Sequence, residues 1–298
     1  VGLENQLRIT NLTNLPEPIF QALTRNDYSR GNSNYSVTQL IDSPRVRILR
    51  KNHDEDITED CADMLWSVLG TSVHKMFEQH SPDGHIVEER LFAQVDKWMI
   101  SGAIDLQRSE DDGRITLMDY KCTSAWSVIY GKKEWDKQLN FYAWLAERKP
   151  DVEVSALQIV AVLRDWQRKK AEMEASYPQA PIVIVKIPLW SKVERDQYVN
   201  DRVALHTQAD WQSFSGEELP LCTDDERWKR PDSFAIKKIN QKRAIKLFDC
   251  KDNARHHLAT KYADSKEHEI ETRPGEFVRC EANWCRVADW CSQHNQGV

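Results

Sequence analysis

Gly102-Ala-Ile-Asp105, then Ile115-Thr-Leu-Met-Asp119-Tyr120-Lys121, then Gln138-Leu-Asn-Phe-Tyr142: these three pieces set the reading of everything around them. Successive side chains of a β-strand point to opposite faces, so Asp119 and Lys121 project together while Met118 and Tyr120 face the other way. The acidic turn Glu110-Asp-Asp-Gly113 lets the strand ending near Asp105 fold back beside the strand ending at Lys121 as a hairpin. Two carboxylates and an ammonium then meet, as a hard divalent cation and a hydrolytic water require. Asp-x-Lys recurs at Asp249/Lys251 and at Asp264/Lys266. Only the copy at Asp119 closes an apolar, β-branched run, follows a Gly-x-x-Asp and precedes a Gln-x-x-x-Tyr. In a helix the offset from Gln138 to Tyr142 puts both side chains on one face.

Working outward, Glu59 to His80 carries Met64, Leu65, Val68, Leu69, Val73, Met76 and Phe77 at a helical period, which predicts a helix with one buried face. Ile86–Val95, Trp98–Leu106 and Ile115–Cys122 read as consecutive strands. Glu88 and Glu89 lie on the first, and one of them could supply another carboxylate, but an exposed strand pair is the better account of them. Trp135 to Arg148 reads as the helix bearing Gln138 and Tyr142. Ala156–Leu163 and Ile182–Ile187 read as buried strands joined by the basic loop Arg164 to Lys170, and Ser191 to Ala209 reads as a charged helix. The fold expected is α/β, with an α-β-β-β-α-β core.

Residues 1 to about 34 read as an arm with a short amphipathic piece at Ile19–Leu23, and the stretch Ser36 to Arg45 as a short helix stopped by Pro44. Residues 213–218 read as a linker. Beyond it lie a basic hairpin across Asn240-Gln241, a helix at Asp252–Tyr262 and a strand near Glu269. The divisions expected are 1–60 (arm and helix), 61–211 (core) and 212–298 (a small α+β extension with the basic hairpin and a cysteine-rich end).

A net charge of −6 argues on average against a nucleic-acid partner, but Arg227 to Lys246 holds eight lysines or arginines against the single acid Asp232. A solvated hairpin is the alternative. Hydrophobic residues make up 40% of the 298, with no run long enough to span a bilayer and no basic-then-apolar leader after Val1, so a soluble protein is expected. Seven cysteines, an odd number, argue against a disulfide framework and raise metal ligation instead.

The order of these motifs resembles the PD-(D/E)XK nucleases, with their restriction-endonuclease-like core, and within them the RecB-like exonuclease branch. The resemblance runs from about Ser36 to Cys291. By it, His74 in Gly70-Thr-Ser-Val-His74 stands as metal-binding histidine, Asp105 as the Gly-x-x-Asp aspartate, and Asp119 and Lys121 as the catalytic pair. It implies a divalent-metal-dependent DNA exonuclease in which Asp105, Asp119 and Lys121 are catalytic. His74, Asp105, Asp119 and the Tyr120 carbonyl would hold Mg²⁺ or Mn²⁺, and Gln138 and Tyr142 would meet DNA. Lys237, Lys238, Lys242 and Arg243 of the basic hairpin are further candidates for DNA contact. The wording of the chain is similar to nucleases of tailed phages and of CRISPR spacer acquisition. That implies linear, double-stranded DNA ends as substrate, a recombination or replication role, a single-strand annealing or recombination protein as candidate partner, and the host cytoplasm as its place. A DNA-end-binding subunit and a structure-selective endonuclease are the alternatives.

Cys280, Cys285 and Cys291 cluster near the end, with Cys222 as a candidate fourth ligand for a [4Fe–4S] cluster or zinc. The gap from Cys285 to Cys291 fits the iron-sulfur relatives. The gap from Cys280 to Cys285 is wider than theirs, and Ser43 stands where they carry an early cysteine. Free buried thiols are the alternative.

Overall fold

The structure, a computed structural model, describes residues 8–25, 31–263, 265–282 and 284–296. The expected arm therefore lies partly outside the described residues. Two compact units divide the chain, Val1–Pro220 and Leu221–Val298.

In the first unit, β1 (Arg8–Thr10) pairs in parallel with β3 (Thr58–Asp60), and between them run α1 (Glu17–Thr24), β2 (Tyr35–Ser36), α2 (Val37–Ile41) and α3 (Pro44–Asn52). Pro44 does end α2, but it also opens α3: at the first helical position its missing N–H leaves nothing unpaired. Ser43 caps that helix by accepting from the Val46 N–H. Then follow α4 (Leu65–Glu78), β4 (His85–Val95), β5 (Trp98–Ser109), β6 (Ile115–Thr123), α5 (Ala125–Tyr130), α6 (Lys133–Ala146), β7 (Val154–Leu163), α7 (Arg168–Met173), β8 (Ile182–Ile187) and α8 (Lys192–Ser215). This is the α/β order expected, with a mixed six-stranded sheet at its centre.

Position within that sheet explains the site. β4 pairs antiparallel with β5 along the whole of one edge, so β2 and β6 share the other. β2 takes Ile100 and Ser101 in parallel, β6 takes Leu106 to Ser109 antiparallel, and Gly102 to Asp105 are left between them in a fork. Beyond the fork β6 pairs in parallel with β7, and β7 antiparallel with β8 at the far edge. The Ile182–Ile187 run is therefore an edge strand and not a buried one: its inward residues pack on the core while Ile182 and Ile184 stay exposed.

α6 is buried nearly all round, with Leu139, Phe141, Leu145 and Ala146 excluded from solvent, each large side chain contributing about 1.5–3 kcal/mol. Its fully buried amide Asn140 is satisfied by the carbonyls of Asp136 and Pro188, to which it donates, and by the Trp190 N–H, from which it accepts. Gly102 lies directly beneath this helix. A Cβ there would meet Leu145 Cδ1 and Tyr142 Cε1, each at 2.8 Å, so helix and strand approach as closely as they do only because the residue is glycine.

α8 begins in a capping box, Ser191 with Glu194, and ends at Gly216 in left-handed conformation. It thus runs past Ala209 into the expected linker. Its buried His206 accepts the Arg47 Nε–H at 2.9 Å and lies 3.2 Å from the Asp42 carbonyl. Arg47 also pairs with Asp210 at 2.9 Å, which accepts from the Tyr35 hydroxyl. Burial, with the Arg202 and Arg47 charges, pushes His206 down to about 3.

The helix expected over Glu59–His80 starts later: Glu59 and Asp60 belong to β3, and a 3₁₀ turn at Cys61–Met64 leads into α4. Its apolar stripe is not buried either. Leu65, Trp66, Leu69 and Met76 are exposed, and α4 rests on β6 chiefly through the side bearing His74 and Phe77.

The second unit contains β9 (Ser233–Lys238), β10 (Lys246–Phe248), α9 (Lys251–Lys261), β11 (His268–Arg273), α10 (Val278–Glu281) and α11 (Ser292–Asn295). Its sheet is antiparallel in the order β10-β9-β11.

Candidate active site

Asp105 stands in the fork. There the Tyr120 N–H has no strand partner and donates to Asp105 Oδ2 at 2.6 Å, which fixes the carboxylate against β6. α4 brings His74 over the same point: Nε2 lies 3.0 Å from the Tyr120 carbonyl oxygen and Nδ1 lies 3.5 Å from Asp105 Oδ1. The ring meets Tyr120 edge-on, and Phe77 packs against the same tyrosine, so two side chains of α4 seat that helix on Tyr120.

Glu88 completes this group. It faces Asp105 across the β4–β5 pair and adopts a left-handed φ of 51°, a rare conformation for a residue with a side chain, which turns its carboxylate into the fork. Its Oε1 lies 3.6 Å from His74 Nδ1 and is enclosed with no hydrogen-bond partner among the described residues. His74, Glu88 and Asp105 each offer one atom within 4.8 Å of the others, and they are the only such group of three or more found among the described residues. Period-two alternation hides Glu88, because the backbone twist that aims it leaves no sequence signature. The one available signal was an acid in the strand beside Asp105. Glu89 is engaged elsewhere, by Lys149 at 2.8 Å and Gln107 at 2.6 Å.

Asp119 is buried beside this group but not within it. Its Oδ2 meets Lys121 Nζ at 2.5 Å, and its Oδ1 accepts from the Gln138 amide at 3.1 Å. Gln138 also donates to the Tyr142 hydroxyl at 2.9 Å, so the two helix positions face inward, buried, and form a chain that ends on Asp119. Burial raises the Asp119 carboxyl to about 6, with Lys121 opposing and Asp105 reinforcing the shift. Burial disfavours the His74 imidazolium, yet the Asp105 and Glu88 carboxylates beside it outweigh that and push it up to about 10. This excess of negative charge, with one orphaned carboxylate oxygen and an imidazole nitrogen, is a donor set that fits a hard or borderline divalent cation.

In the second unit Lys237 sits between Glu269 and Glu271, 3.3 Å from each, so its charge is balanced within the sheet. Lys238, Lys242 and Arg243 are exposed. None of the seven cysteines, all of them among the described residues, is joined in a disulfide. Cys285 is buried and its thiol is pushed up by that burial, with smaller contributions from Cys280 and Cys291. Cys222 is held through its backbone by both ends of the Gln293 amide, at 2.8 and 3.0 Å. These four sulfurs do not meet the ligand spacing seen at His74, Glu88 and Asp105. No helix among the described residues is long and apolar enough to cross a membrane.

No curated protein matches the chain. A solved structure described as "Crystal structure of SSO0001" is similar at 15% identity and a TM-score of 0.41, covering 66% of this chain and 90% of its own. The family comparison is decisive: residues 68–292 match the model of the PD-(D/E)XK nuclease superfamily, and the chain belongs to that superfamily.

Proposed function

We propose that the protein is a divalent-metal-dependent deoxyribonuclease that releases nucleotides from the ends of linear DNA. The observation that carries this reading is the convergence of His74, Glu88 and Asp105 in the fork of the sheet, with the Asp119–Lys121 pair at the end of the neighbouring strand. His74, Asp105, Asp119 and the Tyr120 carbonyl, with Glu88 added, are the groups that would hold Mg²⁺ or Mn²⁺. Such an ion, when bound, supplies Lewis acidity to the phosphate and a more acidic water. His74 must present a neutral nitrogen to it, so its proton leaves as the cation enters. Lys121 orients the attacking water and offsets charge growing on the phosphate. Gln138, held by Tyr142, keeps Asp119 in place and acts as a positioning residue.

Exonuclease action in recombination or replication, with a single-strand annealing protein as partner, is the finer form of the proposal and rests on the RecB-like and phage-like resemblance of the motifs. Exposed Lys238, Lys242 and Arg243 are suited to the phosphate backbone. The four cysteines are proposed to staple the carboxyl-terminal segment through a [4Fe–4S] cluster or zinc, and an anaerobic preparation without colour, iron or zinc refutes that.

The test uses an end-labelled linear duplex with Mn²⁺ or Mg²⁺, comparing the native protein with Asp119→Ala. Nucleotide release by the native protein alone, abolished by chelation, is expected. Binding without release by both proteins would make it an end-binding subunit. Cutting of circular single strands would make it an endonuclease.

A further inference from the structure

Three exposed aromatic rings gather where β6 leaves the site, and cations lie over two of them. Thr123 closes β6 two residues beyond Lys121, Ser124 caps α5, and α5 carries Trp126 and Tyr130. Their spacing stacks the two rings, with centroids 5.8 Å apart and planes 14° from parallel. Lys170 Nζ lies 5.5 Å from the Trp126 ring. Gly131, with a left-handed φ of 72°, turns the chain away immediately afterwards and leaves Tyr130 79% exposed. The loop after β7 is tied to the same corner: the Arg164 N–H donates to the Thr123 carbonyl, and the Asp165 carboxylate accepts from the Ala125 N–H. From there the Arg164 guanidinium lies 4.4 Å over the ring of Trp66, itself 51% exposed, on the helix that bears His74.

Rings of this size are ordinarily buried for their area. Here they stand in solvent, with Arg164 and Lys170 against them and Arg168 and Lys169 nearby in sequence. An extended single strand offers what such a surface takes, bases with free π-faces and phosphates between them, whereas a duplex keeps its bases stacked on each other. We propose that Trp66, Trp126 and Tyr130 form a stacking platform for the unpaired bases of a single-stranded DNA segment adjoining the phosphate to be cut. The proposal rests on the nuclease reading for what happens next to the platform, but not for the binding itself.

The test is metal-free. Fluorescence anisotropy in chelator measures binding of a labelled oligothymidylate and of an abasic strand of equal length, so that charge is matched and only the bases differ. Trp66→Ala and Trp126→Ala/Tyr130→Ala should each weaken oligothymidylate binding about tenfold per ring removed and leave the abasic strand unchanged. Trp126→Phe, which keeps a ring, should retain most of the affinity, and circular dichroism should show each variant folded. Equal losses on both strands, or no loss on either, overturn the platform. Ring-dependent binding by a protein that releases no nucleotide with Mn²⁺ would sink the nuclease reading and leave the platform standing. Cleavage with ring-independent binding does the reverse.

Discussion

Gly102→Ala puts one methyl group where helix and strand are closest, and its effect follows from the packing. The new Cβ would lie 2.8 Å from both Leu145 Cδ1 and Tyr142 Cε1, against an ordinary carbon–carbon contact of about 3.5–4.0 Å. Neither neighbour has room to retreat, since both are core residues. Overpacking of this size costs about 1–3 kcal/mol, partly offset by about 0.4–1 kcal/mol because alanine loses less backbone freedom on folding than glycine. The net is a destabilisation of about 1–2 kcal/mol, or roughly 2–8 °C in Tm for a unit of this size. Function should fall further than stability. A displaced Tyr142 loses its hydrogen bond to Gln138, and Gln138 then holds Asp119 less firmly. Thermal denaturation and rate of nucleotide release are to be measured side by side for Gly102→Ala, Tyr142→Phe and Gly102→Ala/Leu145→Ala. Tyr142→Phe should stay within about 1 kcal/mol of wild type, the worth of one hydrogen bond, yet lose activity. Truncating the buried Leu145 is itself costly, so the double variant should be less stable than Gly102→Ala yet lose less than the sum of Gly102→Ala and Leu145→Ala measured singly, because one of the two clashes is gone. If Gly102→Ala melts and cleaves as the native protein does, the glycine is not there for close approach and the Gln138–Tyr142 link is not tuned by it.

Glu88→Gln keeps the shape and removes the charge, so Mn²⁺ affinity measured by calorimetry should fall at least about tenfold, the lower end seen when a group orienting a metal site is lost; unchanged affinity would exclude Glu88 from the site. For His206 the folded pKa lies near 3 against about 6.5 unfolded, so between these values the unfolded chain binds the extra proton. Its contribution is complete above about pH 6.5 and is lost as pH falls toward 3, at up to about 1.4 kcal/mol per pH unit. Urea denaturation at a series of pH values should show this loss, and His206→Gln should flatten it; an equally steep slope in that variant would place the titration elsewhere.

Much of this architecture could be read from the chain, because the informative features were local. The hairpin from β5 to β6 follows from two β-branched runs about an acidic turn, and the partnership of Gln138 with Tyr142 follows from one helical offset. What escaped was set by long-range packing. The period of α4 names apolar residues at a helical spacing, but period alone cannot say how much of that stripe is covered: Phe77 packs on Tyr120, while Leu65, Leu69 and Met76 are exposed. Glu88 was legible only as an acid in a strand, since the left-handed φ of 51° that aims it falls inside the β4–β5 pairing, where no turn residue marks it. Lys237 counted toward a basic hairpin until β11, more than thirty residues along, brought Glu269 and Glu271 to it.

The outermost strand of the sheet carries a consequence for how the protein behaves at high concentration. Among the described residues β8 has a strand partner on one side only, and it shows Ile182 and Ile184 to solvent, a combination that invites another chain to add a strand and begin aggregation. Pro181 and Pro188 bracket it. Pro181 turns its carbonyl inward, where it accepts the Leu163 N–H, and neither proline has an N–H with which to lengthen the six-residue ladder. A lone pairing of that length is marginal in water, and the two prolines guard the edge together with exposed Lys186, which shares a face with Ile182 and Ile184.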